Sequence, residues 1–258
     1  MPNVLTRVLI LGGTTEARGL AERLAGRTGL DITLSLAGRT TAPVPLPVPI
    51  RSGGFGGAEG LTDYLTRERI GILIDATHPY ASAISANAAA AARQAGVAFL
   101  ALRRPPWLKT AGDRWTEVSD VSAAMAALGN APRRVFVALG RNELAPFIKA
   151  PQHHYLIRSV DPVEPPLPLP RVEYVTGRGP FSETDDFALL KSYRIEVIVA
   201  KNSGGAATYG KIAAARALSL DVIMLRRPGL PDTPAVATVE EAVAWLDQAR
   251  TLAVERGV

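Results

Sequence analysis

The chain has 258 residues, of which 47% are hydrophobic and 21% charged, and its formal net charge at pH 7 is +5. This length and apolar content are those of a globular protein with one large domain or two smaller ones. The absence of cysteine excludes disulfides, thiolate nucleophiles and iron–sulfur clusters, and three histidines without a His-x-x-x-His spacing do not indicate a transition-metal site.

The basic residues are dispersed along the chain. Dispersed charge does not favour a nucleic-acid partner, whereas a net positive charge suits a small polyanionic substrate. No segment approaches the roughly 20 continuous apolar residues of a membrane span, and we predict no signal peptide at the N-terminus. We therefore predict a cytoplasmic enzyme that does not associate with membranes.

Short apolar runs alternate with alanine-rich stretches along the whole chain, which is typical of α/β folds with mostly parallel strands. The sequence predicts strands at Val8–Leu11, Ile32–Leu36, Ile70–Asp75, Val97–Leu102, Arg134–Leu139, Tyr155–Ser159, Ile195–Ala200 and Asp221–Leu225. It predicts helices at Glu16–Gly26, Ala58–Glu68, Ser82–Gln94, Val121–Leu128, Ser182–Tyr193, Ala207–Leu218 and Val239–Arg250. The proline-dense stretches Ala42–Pro49 and Asp161–Pro170 are predicted to be extended surface loops.

The first predicted strand ends in paired glycines that open a helix. Gly12 and Gly13 allow a tight turn and close approach of a ligand, and the N–H groups of a helix start favour an anion. The spacing differs from the G-x-G-x-x-G dinucleotide fingerprint, so an ordinary strand–turn–helix connection is the alternative. We predict a pyrophosphate-binding turn formed by Gly12, Gly13, Thr14, Thr15, Glu16 and Arg18.

The turn after the second strand reads SLAGRT. An NAD enzyme usually places a carboxylate near this point to bind the ribose hydroxyls. Here a guanidinium and hydroxyls are present instead, which suit a 2′-phosphate. The turn therefore predicts NADPH rather than NADH, bound by Gly38, Arg39 and Thr40, with a solvated arginine as the alternative.

A second glycine cluster, SGGFGG at residues 52–57, precedes a predicted helix. Backbone without side chains can lie close against a flat or phosphorylated ligand. A flexible loop is an equally good interpretation. We predict that Gly54, Phe55, Gly56 and Gly57 pack along the cofactor.

Two segments of the chain resemble each other. Residues 72–104 and 197–227 each read strand, polar turn, alanine-rich helix, strand, and then LRRP. Chance similarity in alanine-rich sequence is the alternative. The repeat predicts two Rossmann-like halves, residues 1–103 and 104–258, with mostly parallel sheets and a cofactor and substrate cleft between them.

The polar loops of the repeat carry the remaining candidates. In the first, Asp75-Ala-Thr-His-Pro-Tyr follows a strand, and a histidine can act as a general acid near neutral pH, although His78 could instead be a structural hydrogen-bonding residue. In the second, Lys201-Asn-Ser-Gly-Gly could cradle an oxyanion or carboxylate. Arg178, between glycines, could reach a carboxylate or simply be solvated.

Two better-known chemistries do not fit the sequence. Gly205 to Lys211 matches G-x-x-x-x-G-K, but Ile212 stands where a phosphate-loop NTPase needs Ser or Thr for magnesium. No tyrosine begins the Tyr-x-x-x-Lys pair of short-chain dehydrogenases.

The ordered set of motifs resembles the precorrin-6A reductases of cobalamin biosynthesis. The motifs are LILGGTTEAR, the Ala37-Gly38-Arg39 turn, GGFGG, IDATHPYA, GRGPF, AKNSGG, TYGK and LRRP, and they span residues 8 to about 228. The resemblance implies an NADPH-dependent reduction of one macrocycle double bond, with hydride added to C19 and a proton to C18, giving precorrin-6B. The implied substrate is a polycarboxylate tetrapyrrole, which suits a basic protein without a metal site.

With this reaction, Asp75, Thr77 and His78 are expected to border the nicotinamide. The expected substrate-binding residues are Tyr80, Arg178, Asn202, Ser203 and Gly204. Lys201, His78 and bound water all remain open as the proton donor. Alternatives are a cobalt-precorrin-6A reductase, a non-catalytic nucleotide or tetrapyrrole binder and, third, a nucleic-acid binder. We expect a monomer.

Overall fold

The computed structural model describes residues 5–38 and 45–255, with side chains described as far as residue 251. Its strands are β1 Thr6–Leu11, β2 Leu30–Leu36, β3 Ile50–Ser52, β4 Ile72–Asp75, β5 Ala98–Leu102, β6 Arg114–Val118, β7 Arg134–Ala138, β8 His154–Ser159, β9 Val172–Thr176, β10 Val197–Lys201, β11 Asp221–Leu225 and β12 Ala235–Val236. Its α-helices are α1 Thr15–Leu24, α2 Gly57–Arg67, α3 Ser82–Ala95, α4 Val121–Leu128, α5 Glu183–Ser192, α6 Gly210–Ala217 and α7 Val239–Glu255.

The chain forms two compact units. Unit 1 contains residues 1–105 and 228–258, and unit 2 contains residues 106–227. Each has one six-stranded sheet, ordered β12-β5-β4-β1-β2-β3 in unit 1 and β6-β11-β10-β7-β8-β9 in unit 2. Every strand pair in both sheets is parallel. The prediction of two Rossmann-like halves with parallel sheets is confirmed.

The sheet of unit 1 is covered on both faces because its strands are apolar on both sides. Side chains alternate along a strand, so Val8 and Ile10 of β1 belong to one core while Leu9 and Leu11 belong to the other. The first core includes residues of α1 and α7, such as Leu20 and Leu246. The second is built with α2 and α3.

The core of unit 2 is more aromatic. Helices α5 and α6 pack against the sheet there, and the buried cluster includes Trp107, Trp115 and Phe136. In register, Val197 of β10 lies beside Val135 of β7 and Asp221 of β11. The strand order matches that of unit 1 position by position, so β10 corresponds to β4 and β7 to β1.

One edge strand of each sheet directly follows, in sequence, a strand of the other sheet. After β5 the chain leaves unit 1 and supplies β6, an edge of the sheet of unit 2. After β11 it returns and supplies β12, which pairs with β5 at the edge of unit 1. Helix α7 then packs against α1. The sequence-based assignment of residues 228–258 to the second half therefore differs from the structure, because pairing and packing place this segment in unit 1.

Among the described residues, all seven α-helices and eight of the twelve strands were predicted, and four strands were not. These are β3, β6, β9 and β12. Helix α6 begins at Gly210 instead of Ala207, after turns in which Gly204 and Gly205 have positive φ of 69° and 70°. The stretch Ala42–Pro49 is not wholly a surface loop. Its residues 42–44 lie outside the described chain, but Val48 is buried in the core.

Helix α7 should contribute to the stability of unit 1, although it lies at the C-terminal end of the sequence. Leu246→Ala removes a fully buried side chain, so we expect the free energy of unfolding to fall by about 2–5 kcal/mol in a urea titration. Leu5→Ala, at a leucine of the same unit that is 54% exposed, should change it by less than about 0.5 kcal/mol. Equal effects of the two substitutions would contradict the placement of α7.

Candidate functional site

The candidate site of unit 1 lies where the strand order of its sheet reverses. From β1 the chain moves to β2 on one side, and after β3 it crosses to β4 on the other side. Ligands of open α/β sheets bind at the carboxyl ends of the strands at such a point. The loops after β1 and β4 are joined there, because the Ala76 N–H donates to Leu11 O at 2.9 Å and the Thr14 hydroxyl donates to Ala76 O at 2.8 Å.

The glycine turn has the shape that its sequence predicts. A Cβ on Gly12 would lie 2.7 Å from Leu34 Cδ1, so a side chain there would displace the core. Gly13 has φ of +120°, which other residues rarely adopt. Thr14 caps α1 by accepting a hydrogen bond from the Ala17 N–H at 3.1 Å. The turn thus presents the N-terminus of a ten-residue helix, where an anion is favoured.

Two predicted members of this turn already have structural partners. Thr14 uses its hydroxyl as both donor and acceptor within the fold. Glu16 forms an ion pair with Arg104, with 2.5 Å between Oε2 and Nη1, and both side chains are mostly buried. A carboxylate near an incoming phosphate is repulsive unless it is neutralised, and Arg104 neutralises it. Sequence reasoning missed Arg104, although it lies in the repeated LRRP motif. Thr15 and Arg18 are exposed.

The second glycine cluster lines a cavity of about 190 Å³. Its wall also includes Gly12, Ser35 and Thr77, so the cavity joins the ends of β1, β2 and β4. Gly54, Phe55, Gly56 and Gly57 all line it. Gly38 lies beside this cluster, because a Cβ on it would be 3.6 Å from Gly53 N. The predicted 2′-phosphate residues Arg39 and Thr40 lie outside the described residues.

The loop after β4 is organised by short-range hydrogen bonds. Asp75 is buried and accepts from both the N–H and the hydroxyl of Thr77, at 3.1 and 2.6 Å. His78 accepts from the Tyr80 N–H through Nδ1 at 3.3 Å, and the two rings are 5.6 Å apart. With Nδ1 as an acceptor, the proton of His78 belongs on Nε2. That nitrogen is therefore the one to consider for proton donation.

In unit 2 the turn after β7 does not form an anion site of the kind seen in unit 1. Gly140 is followed by two short 3-10 turns, Arg141–Glu143 and Ala145–Lys149, rather than by an α-helix. The Gly140 N–H donates to the Glu143 carboxylate at 3.0 Å, and the same carboxylate pairs with Lys201. Side chains of the protein thus occupy this position, which favours unit 1 over unit 2 for a bound phosphate.

The loop after β10 is held firmly in place. Asn202 is buried, accepts from the Trp107 N–H at 2.8 Å and donates to Trp107 O at 2.9 Å. Arg227, in the second LRRP motif, donates to Asn202 O at 2.9 Å and Ser203 O at 3.0 Å. Both polar atoms of the Asn202 side chain, which was predicted to bind substrate, thus form hydrogen bonds with the backbone of Trp107. Arg178 lies 3.5 Å from Asp161 in an ion pair.

A larger cavity of about 560 Å³ lies next to this loop, within unit 2. Its lining includes the rings of Trp107, Phe181 and Tyr209 together with Gly205. The Trp107 indole N–H donates to Gly205 O at 2.8 Å, so this ring in the cavity wall is attached to the loop after β10.

An ion pair beside this second cavity is structural. Tyr209 accepts from Arg216 at 2.6 Å, and Arg216 pairs with Asp113 at 2.9 Å. Burial raises the pKa of Asp113, but the hydrogen bonds from Arg216 and Thr110 outweigh it and hold the pKa below its usual value. Asp113 therefore stays ionised at neutral pH and keeps its pairing with Arg216.

Among the described residues, no group of three or more His, Cys, Asp or Glu side chains could hold a metal ion. None of the helices in the described part of the chain is both long and apolar enough to cross a bilayer.

Two six-stranded parallel sheets flanked by helices, with a glycine turn at the strand-order reversal of one of them, define a two-unit Rossmann-like α/β protein. The family model described as precorrin-6x reductase CbiJ/CobK matches residues 7–247. The chain belongs to this family.

Individual relatives agree with the family match. A precorrin-6A reductase of Sinorhizobium sp is 58% identical over 92% of this chain and 91% of its own. A solved structure of CobK precorrin-6A reductase is 53% identical with a TM-score of 0.90, covering 95% of this chain and 97% of that one. A cobalt-precorrin-6A reductase of Priestia megaterium is 29% identical over 95% of this chain and all of its own.

Proposed function

We propose that this protein is an NADPH-dependent precorrin-6A reductase, which reduces one macrocycle C=C bond to give precorrin-6B. The observation that carries the proposal is the glycine turn of unit 1, which presents the N-terminus of α1 at the strand-order reversal in a chain of the precorrin-6x reductase family. The much higher identity to the relative named for precorrin-6A than to the one named for the cobalt form favours the metal-free substrate.

The residues of unit 1 fit a dinucleotide. Gly12 and Gly13 with the start of α1 bind the pyrophosphate, with Thr15 and Arg18 exposed beside it. Gly38, Arg39 and Thr40 bind the 2′-phosphate, and Gly54–Gly57 lie along the cofactor in their cavity. Asp75 at the end of β4, with Thr77 and His78 in the loop after it, borders the nicotinamide. When bound, NADPH supplies the hydride.

The second unit supplies groups for a polycarboxylate. Lys201, Ser203, Gly204, Asn202 and Arg178 bind the substrate, as does Tyr80 from unit 1. Lys201 and Arg178 each have an acidic partner, Glu143 and Asp161, so their side chains are oriented before substrate arrives. Orienting groups in advance lowers the entropy that binding would otherwise lose.

The reaction also needs a proton donor. The reduction adds hydride at C19 and a proton at C18, so a donor must face C18. The ammonium of Lys201 and Nε2 of His78 are the two protein candidates, and bound water is the third. We further propose that the protein acts as a monomer in the cytoplasm and does not bind nucleic acid.

The direct test is anaerobic oxidation of NADPH by the purified protein with precorrin-6A, recording nicotinamide absorbance and the macrocycle spectrum together. Coupled changes with NADPH and much slower changes with NADH support the proposal. Turnover only with the cobalt-bound macrocycle would make the protein a cobalt-precorrin-6A reductase. If the protein binds NADPH but oxidises it with neither precorrin-6A nor the cobalt-bound macrocycle, it is a non-catalytic binder.

The preference for NADPH should depend on Arg39. Arg39→Ala removes a charged partner of the 2′-phosphate, and we expect a loss of about 1.5–3 kcal/mol in NADPH binding, with NADH binding unchanged. Titration calorimetry with both dinucleotides measures the two affinities. An unchanged NADPH/NADH ratio would show that Arg39 does not contact the 2′-phosphate.

Lys201 should act on turnover and not on cofactor binding. For Lys201→Ala we expect kcat to fall about 100-fold or more, as for loss of a general acid, with the Kd for NADPH unchanged. Lys149→Ala, at an exposed lysine of the same unit, is the matched control and should leave both quantities unchanged. Normal kinetics in Lys201→Ala would remove this residue from the site.

A further inference from the structure

Arg51, the middle residue of β3, makes contacts that its sequence position does not reveal. Its guanidinium donates through Nη1 to Gly53 O at 2.5 Å and through Nη2 to Gly54 O at 2.8 Å. The same group lies over the Phe55 ring, with Cζ 3.8 Å from the ring centroid. One side chain thus contacts three consecutive residues of the second glycine cluster.

The Gly53 N–H also donates to Leu36 O at 2.9 Å, and the contacts of Arg51 restrain the residues that follow. Gly53, Gly56 and Gly57 have positive φ of 108°, 85° and 91°. Glycine adopts many other backbone conformations equally well, so holding these three residues in one conformation costs entropy. Gly56 caps α2 without any side-chain hydrogen bond. The guanidinium and the Phe55 ring, which packs edge-on against Tyr64 at 5.0 Å, supply the missing restraint.

Arg51 also links the two glycine segments of unit 1. Its Nη1 lies 3.3 Å from the Ser35 hydroxyl, to which it donates. The backbone carbonyl of Ser35 in turn accepts the Gly12 N–H at 2.9 Å. A short chain of hydrogen bonds therefore runs from the pyrophosphate turn through Ser35 and Arg51 to the second cluster. Its two ends, Gly12 and the second cluster, line the 190 Å³ cavity.

We propose that Arg51 is a positioning residue that sets the dinucleotide affinity of unit 1 by holding residues 53–57 in their binding shape. The inference rests on the proposed cofactor assignment. The guanidinium acts on the cluster directly, because both terminal nitrogens donate to its backbone carbonyls and one face covers Phe55. A planar group with two parallel donors is required, so lysine is not an adequate substitute.

The test compares Arg51→Met and Arg51→Lys with the matched control Arg67→Met. Arg67 also has its guanidinium near the Tyr64 ring, at 5.4 Å, but lies on α2 and pairs with Glu68. The Kd values for NADPH and NADH are measured by titration calorimetry, kcat at saturating NADPH by the reductase assay, and amide hydrogen exchange by mass spectrometry of peptides across unit 1.

Both Arg51 variants should raise the Kd for NADPH and for NADH by the same factor, about tenfold or more, because the loop must now be ordered on binding. Amide exchange should become faster in residues 53–57 while the rest of unit 1 keeps its protection. The kcat at saturating NADPH should stay unchanged, and Arg67→Met should match the wild type in every measurement.

Three results would overturn the inference. Faster exchange with unchanged Kd values would make Arg51 a purely structural residue. Full affinity in Arg51→Lys, or a loss confined to NADPH, would mean that its charge acts on a phosphate. Faster exchange throughout unit 1 would show a general loss of stability. If the wild type binds neither dinucleotide, the proposed cofactor assignment itself fails, and the affinity role of Arg51 fails with it.

Discussion

Parallel strand pairing is the constraint on which the rest of this structure depends. Parallel neighbours need a long crossover, so each strand must be followed by a segment that returns across a face of the sheet. All carboxyl ends of the strands in a sheet therefore lie at one edge. The glycine turn, the second glycine cluster and the loop after β4 come from positions 12 to 80 of the sequence, yet they meet at the edge of unit 1 for this reason.

Ionic and hydrogen-bonded partners then give that edge its local form. At that edge Glu16 pairs with Arg104 and Asp75 accepts a hydrogen bond from Thr77, and in unit 2 Lys201 pairs with Glu143. Partly buried pairs of this kind lose less to screening by water than surface pairs do. Their main effect is to place charged groups before a ligand binds, which assists a reaction between two bound molecules.

The periodic elements and the loops that contain glycine clusters could be predicted from the sequence, because alanine-rich helices and apolar strands have a strong local signal. Strand β12 has only two residues, and in β3 Ile50 is followed by two polar residues, so neither has a pattern that predicts a strand. The internal repeat suggested that each half is continuous, so residues 228–258 were assigned to the second half. Arg104, Glu143 and Arg51 were missed because nothing in a single sequence shows which distant residue an arginine or glutamate will pair with.

The exchanged edge strands impose an order on folding during synthesis. The core of unit 1 includes Ala242 and Leu246, and its sheet includes β12, so the unit that begins first on the ribosome is completed last. Unit 2, made of residues 106–227, is fully synthesised before the segment that closes unit 1 emerges. Until then, the face of unit 1 that α7 covers remains apolar and open. A chain that ended near residue 230 would contain every residue of unit 2 but would leave this apolar face of unit 1 exposed, which favours aggregation.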